Sequence, residues 1–232
     1  MSTLAGYQLE DSVATITMDD GKVNALSLRM LLDVNAALDR AETDRAVVLL
    51  TGRTGVFSAG FDLPVLRAGG HEAGVMVRAG FELAERVLSF PTPVVIACTG
   101  HAVAMGLFLL LSGDYRLGAA GGYKIAANEV AIGLTMPRAA VEILRQRLAP
   151  AHFNRAVTIA EPFSPDDAVE AGFLDRVIAG DELADMARAV ATQLTALDMA
   201  AHRASKLRAR AQTLAAIRAG IDADAAAFRA RA

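Results

Sequence analysis

From Val94 to Leu111 the only polar side chains are Thr99 and His101, beside the thiol of Cys98, and this run constrains the fold most. It opens with Val94-Val95-Ile96-Ala97-Cys98, β-branched and apolar, which suits a strand buried on both faces. Thr99-Gly100-His101 interrupts it. The apolar stretch Ala102 to Leu111 then loses its β-branching from Gly106 onward, which predicts a buried helix with Met105 and Gly106 at its start. That helix has no polar side chain, so any polar chemistry it offers comes from its backbone. The first N–H groups of a helix lack internal partners and sit at the positive end of its dipole. A buried helix start of this kind invites an anionic oxygen.

The run is close to the ~20 residues that span a bilayer. Pro93 before it, the Thr-Gly-His break and the lack of flanking aromatic residues argue against a membrane helix. Hydrophobic residues make up 53% of the chain and mean hydropathy is +0.35, which excludes disorder. A net charge of -3 leaves no basic surplus, so nucleic acid is not an expected partner. Cys98 stands alone and reads as a buried structural thiol, so no disulfide forms within the chain. Met1 to Ala5 shows no basic segment followed by an apolar one, and a cytoplasmic location is expected.

In order, Tyr7 to Met18 alternates as a strand, and Ser27 caps a helix to about Thr43. Ala46 to Leu50 reads as a buried strand, Thr51 to Gly60 as a Gly-rich loop, and 74–90 as a helix. After the central stretch come a strand at 114–117, a loop or short strand at 128–134, and helices at 137–148, 151–159 and from Ser164. A strand at 174–178 precedes helices at about 181–198, 201–218 and 220–230. The pattern predicts an α/β fold: an α/β core over 1–179 and a C-terminal α-helical region over 180–232. The tail is amphipathic and small, so it either packs on a neighbouring subunit or folds back on the core.

The sequence carries no P-loop, no G-x-G-x-x-G and no H-E-x-x-H. His71, His101, His152 and His202 lack metal-ligand spacing, so no metal site is expected. Two loop-to-helix junctions remain. In Phe57-Ser58-Ala59-Gly60-Phe61-Asp62-Leu63, Gly60 frees the backbone and exposes the N–H of Phe61. The second is Ala104-Met105-Gly106. Two converging N–H groups would form an oxyanion hole, although glycine turns are common for other reasons. Glu129 lies in an apolar setting, Asn128-Glu129-Val130-Ala131-Ile132-Gly133, where an exposed glutamate of no consequence is the simplest reading.

These segments, with Gly-His-Ala-Val-Ala-Met-Gly, Asn-Glu-Val-Ala-Ile-Gly-Leu-Thr-Met-Pro and the late Ala168–Asp175 junction, resemble the crotonase superfamily (enoyl-CoA hydratase/isomerase). The resemblance implies a β-β-α superhelical core and a helical trimerisation region. It implies an acyl-CoA thioester as substrate and a homotrimer or dimer of trimers. By it, Phe61 and Met105 would supply the oxyanion hole. Lys22, Ala25, Ala59, Gly60, Asp62, Leu63 and Gly106 would line the CoA and substrate site, and Phe228 and Arg231 would reach a neighbour's CoA. No cofactor is implied beyond the coenzyme A carried by the substrate.

Hydrating members carry two glutamates. Glu129 matches the second, whereas Phe108 stands where the first would be, one turn into the buried helix. An apolar residue there, with Asn128-Glu129 retained, resembles the Δ3,Δ2-enoyl-CoA isomerases of mitochondrial type. The expectation is a one-base isomerase with Glu129 as base and acid, and with Phe108 and Asn128 at the substrate. The alternatives are a hydratase, another activity such as thioester hydrolysis, and a non-catalytic acyl-CoA-binding protein.

Overall fold

The computed structural model describes residues 3–229. The alternating stretch near the start is two strands, β1 (Ala5–Glu10) and β2 (Val13–Met18), paired antiparallel. Asp11 and Ser12 between them take φ of 49° and 62°, the mirror-image turn whose twist suits a hairpin. In α1 (Leu28–Thr43) the Ser27 hydroxyl accepts from Met30 N–H at 3.3 Å, the cap expected for that serine. Next come β3 (Val47–Thr51), β4 (Gly55–Ser58), α2 (Leu63–Ala68) and α3 (Gly70–Ser89), so part of the predicted Gly-rich loop is a strand. After β5 (Val94–Cys98), the predicted turn is itself largely a strand, β6 (Gly100–Val103). The central helix, α4 (Met105–Leu111), starts where expected.

Beyond α4 lie β7 (Tyr115–Ala119), β8 (Ile125–Ala126) and a 3-10 turn at Val130–Ile132. They lead to α5 (Arg138–Arg145), α6 (Pro150–Ile159), α7 (Pro165–Ala171), β9 (Arg176–Ile178), α8 (Leu183–Leu194) and α9 (Met199–Arg229). The tail helices expected at 201–218 and 220–230 are therefore one helix. Gly220 does not end it; a Cβ there would lie 2.7 Å from the Ala139 N, so the glycine lets α9 cross α5 closely.

The larger sheet has the order β1-β2-β3-β5-β7-β9, parallel except for the first pair. Side chains alternate across it. Val48, Leu50, Val94 and Ile96 enter the main core with α1, α3 and α4. Val47, Leu49, Val95 and Ala97 face the other way, onto Leu183, Ala187 and Ala191 of α8. Composition changes near Gly180, but packing runs straight across that point, because α8 closes one face of the sheet. α9 folds back on the same chain: Ile217 and Ile221 join the main core, and Arg218 pairs with Glu82 and Glu85 of α3. All seven residues of α4 are buried, so the central helix is surrounded by protein on every side.

Candidate active site

A second sheet, β4-β6-β8, is parallel throughout, and that arrangement assembles the site. Ser58 pairs with Ala102, and Val103 with Ala126. The three strands therefore end at one edge, and the residues that leave them emerge together: Ala59–Phe61, Ala104–Met105 and Asn128–Glu129. Segments far apart in sequence meet at the carboxyl ends of parallel strands, a common place for ligands in α/β proteins.

The first two segments touch. Gly60 has a φ of 92°, and a Cβ there would lie 2.9 Å from the Ala104 Cβ and 3.2 Å from the Met105 N. Peptide planarity fixes where the neighbouring N–H groups point. The Gly60 carbonyl accepts from Leu26 N–H at 2.8 Å, so the Phe61 N–H of the same peptide points away from Leu26. The Ala104 carbonyl accepts from Leu107 N–H at 2.9 Å and Phe108 N–H at 3.2 Å, along α4, so the Met105 N–H points back out of the helix. Among the described residues neither N–H donates to a protein acceptor. Buried N–H groups are rarely left unpaired without a reason.

Local structure holds this geometry. Ser58 Oγ donates to the Asn24 carbonyl at 2.7 Å and accepts from Gly60 N–H at 3.1 Å. Gly80 of α3 leaves room for the Phe61 ring, which would clash with a Cβ there at 2.4 Å. Gly106 is required by packing. A Cβ there would lie 2.5 Å from the Ser58 carbonyl oxygen, so α4 can settle on β4 only with glycine at this point.

A cavity of about 700 Å³ opens beside these N–H groups, lined by Ala59, Phe61, Leu63, Ala104, Phe108, Asn128 and Glu129 among others. Glu129 is 6% exposed, and its Oε2 has no hydrogen-bond partner. Burial pushes its carboxyl up to about 7, against a smaller lowering from its own backbone N–H. Asn128 Oδ1 is also buried without a partner. Phe108 is 1% exposed and stacks on Phe81 at 5.9 Å, with Phe61 edge-on to Phe81 at 6.2 Å. The cavity lining thus holds a carboxylate with an unpartnered oxygen together with the rings of Phe61, Phe81 and Phe108.

The other residues expected at the site lie around this centre. Lys22 and Ala25 are outside the cavity lining, on a loop shaped by Asp20, whose carboxylate accepts from Lys22, Asn24 and Ala25 N–H at 2.7–2.9 Å. Burial would raise the Asp20 pKa, but these backbone donors outweigh it and the net shift is downward. The loop joins the site by backbone pairing, Ala59 N–H to the Val23 carbonyl at 3.0 Å. Asp62 caps α2, accepting from Val65 N–H. The Phe228 side chain and Arg231 lie outside the described residues.

Several wall residues went unforeseen. Val77 and Phe81 come from α3, Met136 from the approach to α5, Arg138 from its first residue, and Asp224 and Ala227 from α9. Asp224 accepts from the Arg138 backbone N–H at 2.8 Å and from its guanidinium at 2.9 Å. The C-terminal helix therefore closes the cavity of its own chain. No sequence pattern marks Asp224 or Ala227 for this role. Among the described residues no group of three or more His, Cys, Asp or Glu is placed to hold a metal ion, and no helix is long and apolar enough to cross a membrane.

Comparison with known proteins identifies the family. The family model described as enoyl-CoA hydratase/isomerase matches residues 8–231. A probable enoyl-CoA hydratase of Mycobacterium avium is 32% identical over 214 residues, covering 91% of this chain and 78% of the relative. The solved apo structure of a Mycobacterium tuberculosis enoyl-CoA isomerase is 49% identical with a TM-score of 0.94, covering 97% of this chain and 99% of that one. That of human mitochondrial Δ3,Δ2-enoyl-CoA isomerase is 27% identical with a TM-score of 0.91, covering 97% and 90%. With its fold, its strand-end site and a family match over nearly its whole length, this chain belongs to the enoyl-CoA hydratase/isomerase family, whose members act on acyl-CoA thioesters.

Proposed function

We propose that the chain is a Δ3,Δ2-enoyl-CoA isomerase that works with a single carboxylate. The observation that carries this reading is the presence of Glu129 and Phe108 in one cavity lining: a carboxyl with an unpartnered oxygen, and a phenyl ring in place of a second acid. Among the described lining residues the only other carboxylate is Asp224, which is engaged by Arg138 through both oxygens. Adding water across a double bond needs water held and activated between two acid–base groups. Moving a double bond needs only one. Glu129 removes a proton from C2 of a 3-enoyl-CoA, the dienolate oxygen is held by the N–H groups of Phe61 and Met105, and the protonated Glu129 returns a proton to C4. C2 and C4 lie on the same side of the planar intermediate, so one carboxyl reaches both. The stacked Phe108 and Phe81 keep water from the dienolate.

The reaction needs no cofactor beyond the coenzyme A of the substrate. Ala59 and Leu63 border the acyl thioester, with Lys22, Ala25 and Asp62 towards the CoA side. The test uses the purified protein with 3-hexenoyl-CoA and, separately, crotonyl-CoA. Conjugation without water addition, lost in Glu129→Gln, supports the isomerase. Rapid hydration of crotonyl-CoA makes the protein a hydratase, thioester hydrolysis points to another activity of the family, and binding without turnover makes it an acyl-CoA carrier.

A further inference from the structure

At the far end of α4 from the cavity lies a charged cluster that the reaction does not use directly. Arg147 donates through Nε to the Leu111 carbonyl at 3.3 Å and through a terminal nitrogen to the Gly113 carbonyl at 2.6 Å. These are carbonyls at and just beyond the C-terminus of α4. Around it stand Lys206 and Arg210, both paired with Asp114 at 2.7 and 2.9 Å, and Arg116, paired with Asp175 at 2.8 Å. Four cations therefore meet two carboxylates. Among the described residues no carboxylate lies within ion-pair distance of Arg147. Arg116 and Lys206 are 4% and 7% exposed, so the cluster is poorly screened by solvent.

We infer that Arg147 is a positioning residue for the enolate: its unpaired positive charge, applied end-on through α4, favours negative charge at the Met105 N–H. This inference rests on the reading of that N–H as an oxyanion donor. The geometry favours the effect. α4 is seven residues, about 10 Å long. Every side chain on it is apolar and buried, so little lies between the cation and the enolate except the helix's own aligned peptide dipoles. The order anion, helix N-terminus, helix C-terminus, cation is the favourable one throughout. Burial first, and then the nearby Arg116 and Arg210, hold the Arg147 pKa down to about 10, against the raising effect of Asp175 and Asp114. A unit charge about 12–15 Å from the enolate, at an effective dielectric of about 20, corresponds to roughly five- to tenfold in rate or in an ionisation constant.

The test reads ionisation rather than turnover. 3-Oxobutanoyl-CoA ionises at C2 to an enolate with a near-ultraviolet band, and its apparent pKa when bound reports the field at the oxyanion donors. It is measured in a Glu129→Gln background, so that no cavity carboxylate opposes the enolate. Adding Arg147→Gln should raise that pKa by about 0.7–1 unit, whereas Arg147→Lys, which keeps the charge, should leave it unchanged. In the otherwise wild-type enzyme Arg147→Gln should lower kcat about five- to tenfold with KM unchanged. If Arg147→Gln does not fold, Arg147→Lys carries the test, since a folded Lys variant with the raised pKa overturns the inference. Equal pKa values in parent and Arg147→Gln also overturn it. Failure of the wild-type protein to bind any acyl-CoA overturns the proposed function itself, and this inference with it.

Discussion

Burial with one unpartnered carboxylate oxygen raises Glu129 from 4.5 to about 7, and this shift ties stability to pH. Below the unfolded value both states are protonated. Between the two values the folded protein holds a proton that the unfolded chain has released, so stability falls as pH rises, and the loss is complete above the folded value. Its ceiling is about 3 kcal/mol. Glu129→Gln cannot ionise, so its stability relative to wild type should rise by about 2–3 kcal/mol between about pH 5 and pH 8, read from denaturant midpoints. The same substitution should lower kcat/KM by about 10²–10⁴-fold. In the wild-type enzyme kcat/KM should climb to a plateau with an apparent pKa near 7. A variant that is both more stable and inactive is the mark of a functional group held against the preference of the fold. From its neighbours alone Glu129 read as an ordinary exposed glutamate, because local sequence does not show that the 3-10 turn after it packs beside α6. Only the resemblance singled it out.

At the scale of elements, the long periodic stretches were legible and the short ones were not. The apolar stripe of α1, the β-branched run of β5 and the unbranched run of α4 each report their own burial pattern. β4, β6 and β8 run from two to four residues and depend on pairing with one another, which no local pattern encodes. Yet these strands bring Phe61, Met105 and Glu129 to one edge, so the two junctions were visible in the sequence and their meeting was not. Gly60 gives a direct measure of that meeting. Gly60 and Gly69 both have positive φ, 92° and 69°, so alanine at either strains the backbone. Only at Gly60 would the added Cβ also press on Ala104 and the Met105 N; at Gly69 nothing lies within 4 Å. Both alanine variants should lose about 1 kcal/mol or more of stability. Gly60→Ala alone should lower kcat, by about 10–100-fold, as the two N–H groups are pushed apart. Equal activity in the two variants, compared by steady-state kinetics, would separate the junction from catalysis.

Across the whole molecule, the C-terminal helix joins the charged cluster behind α4 to the wall of the cavity. Near its start Lys206 and Arg210 hold Asp114, whose Oδ2 also accepts from Val94 N–H at 2.8 Å; near its end Asp224 and Ala227 line the site. The amphipathic pattern of the tail left open whether it covers its own core or a neighbour's, because either surface satisfies an apolar face. The fold-back geometry makes the Asp114 cluster an anchor for the active site, and its members are not equivalent. Lys206→Met removes one cation and leaves Asp114 paired with Arg210 and Val94 N–H, so the remaining carboxylate stays satisfied. Asp114→Leu leaves Lys206 and Arg210 without a carboxylate and the Val94 N–H without its acceptor, all in surroundings from which water is largely excluded. Breaking a buried pair in that way costs about 3–5 kcal/mol, against about 1 kcal/mol or less for the lysine substitution. For a chain of 232 residues the aspartate variant should therefore melt roughly 6–20 °C lower, and the lysine variant within a few degrees of wild type. Because the far end of α9 walls the cavity, Asp114→Leu should also raise KM for the acyl-CoA at temperatures where the protein is still folded, as a loosened α9 draws Asp224 from Arg138. Arg138→Ala, which removes the guanidinium contact to Asp224 but keeps the backbone N–H contact and leaves the anchor untouched, should raise KM in the same direction but less, and leave the melting temperature nearly unchanged.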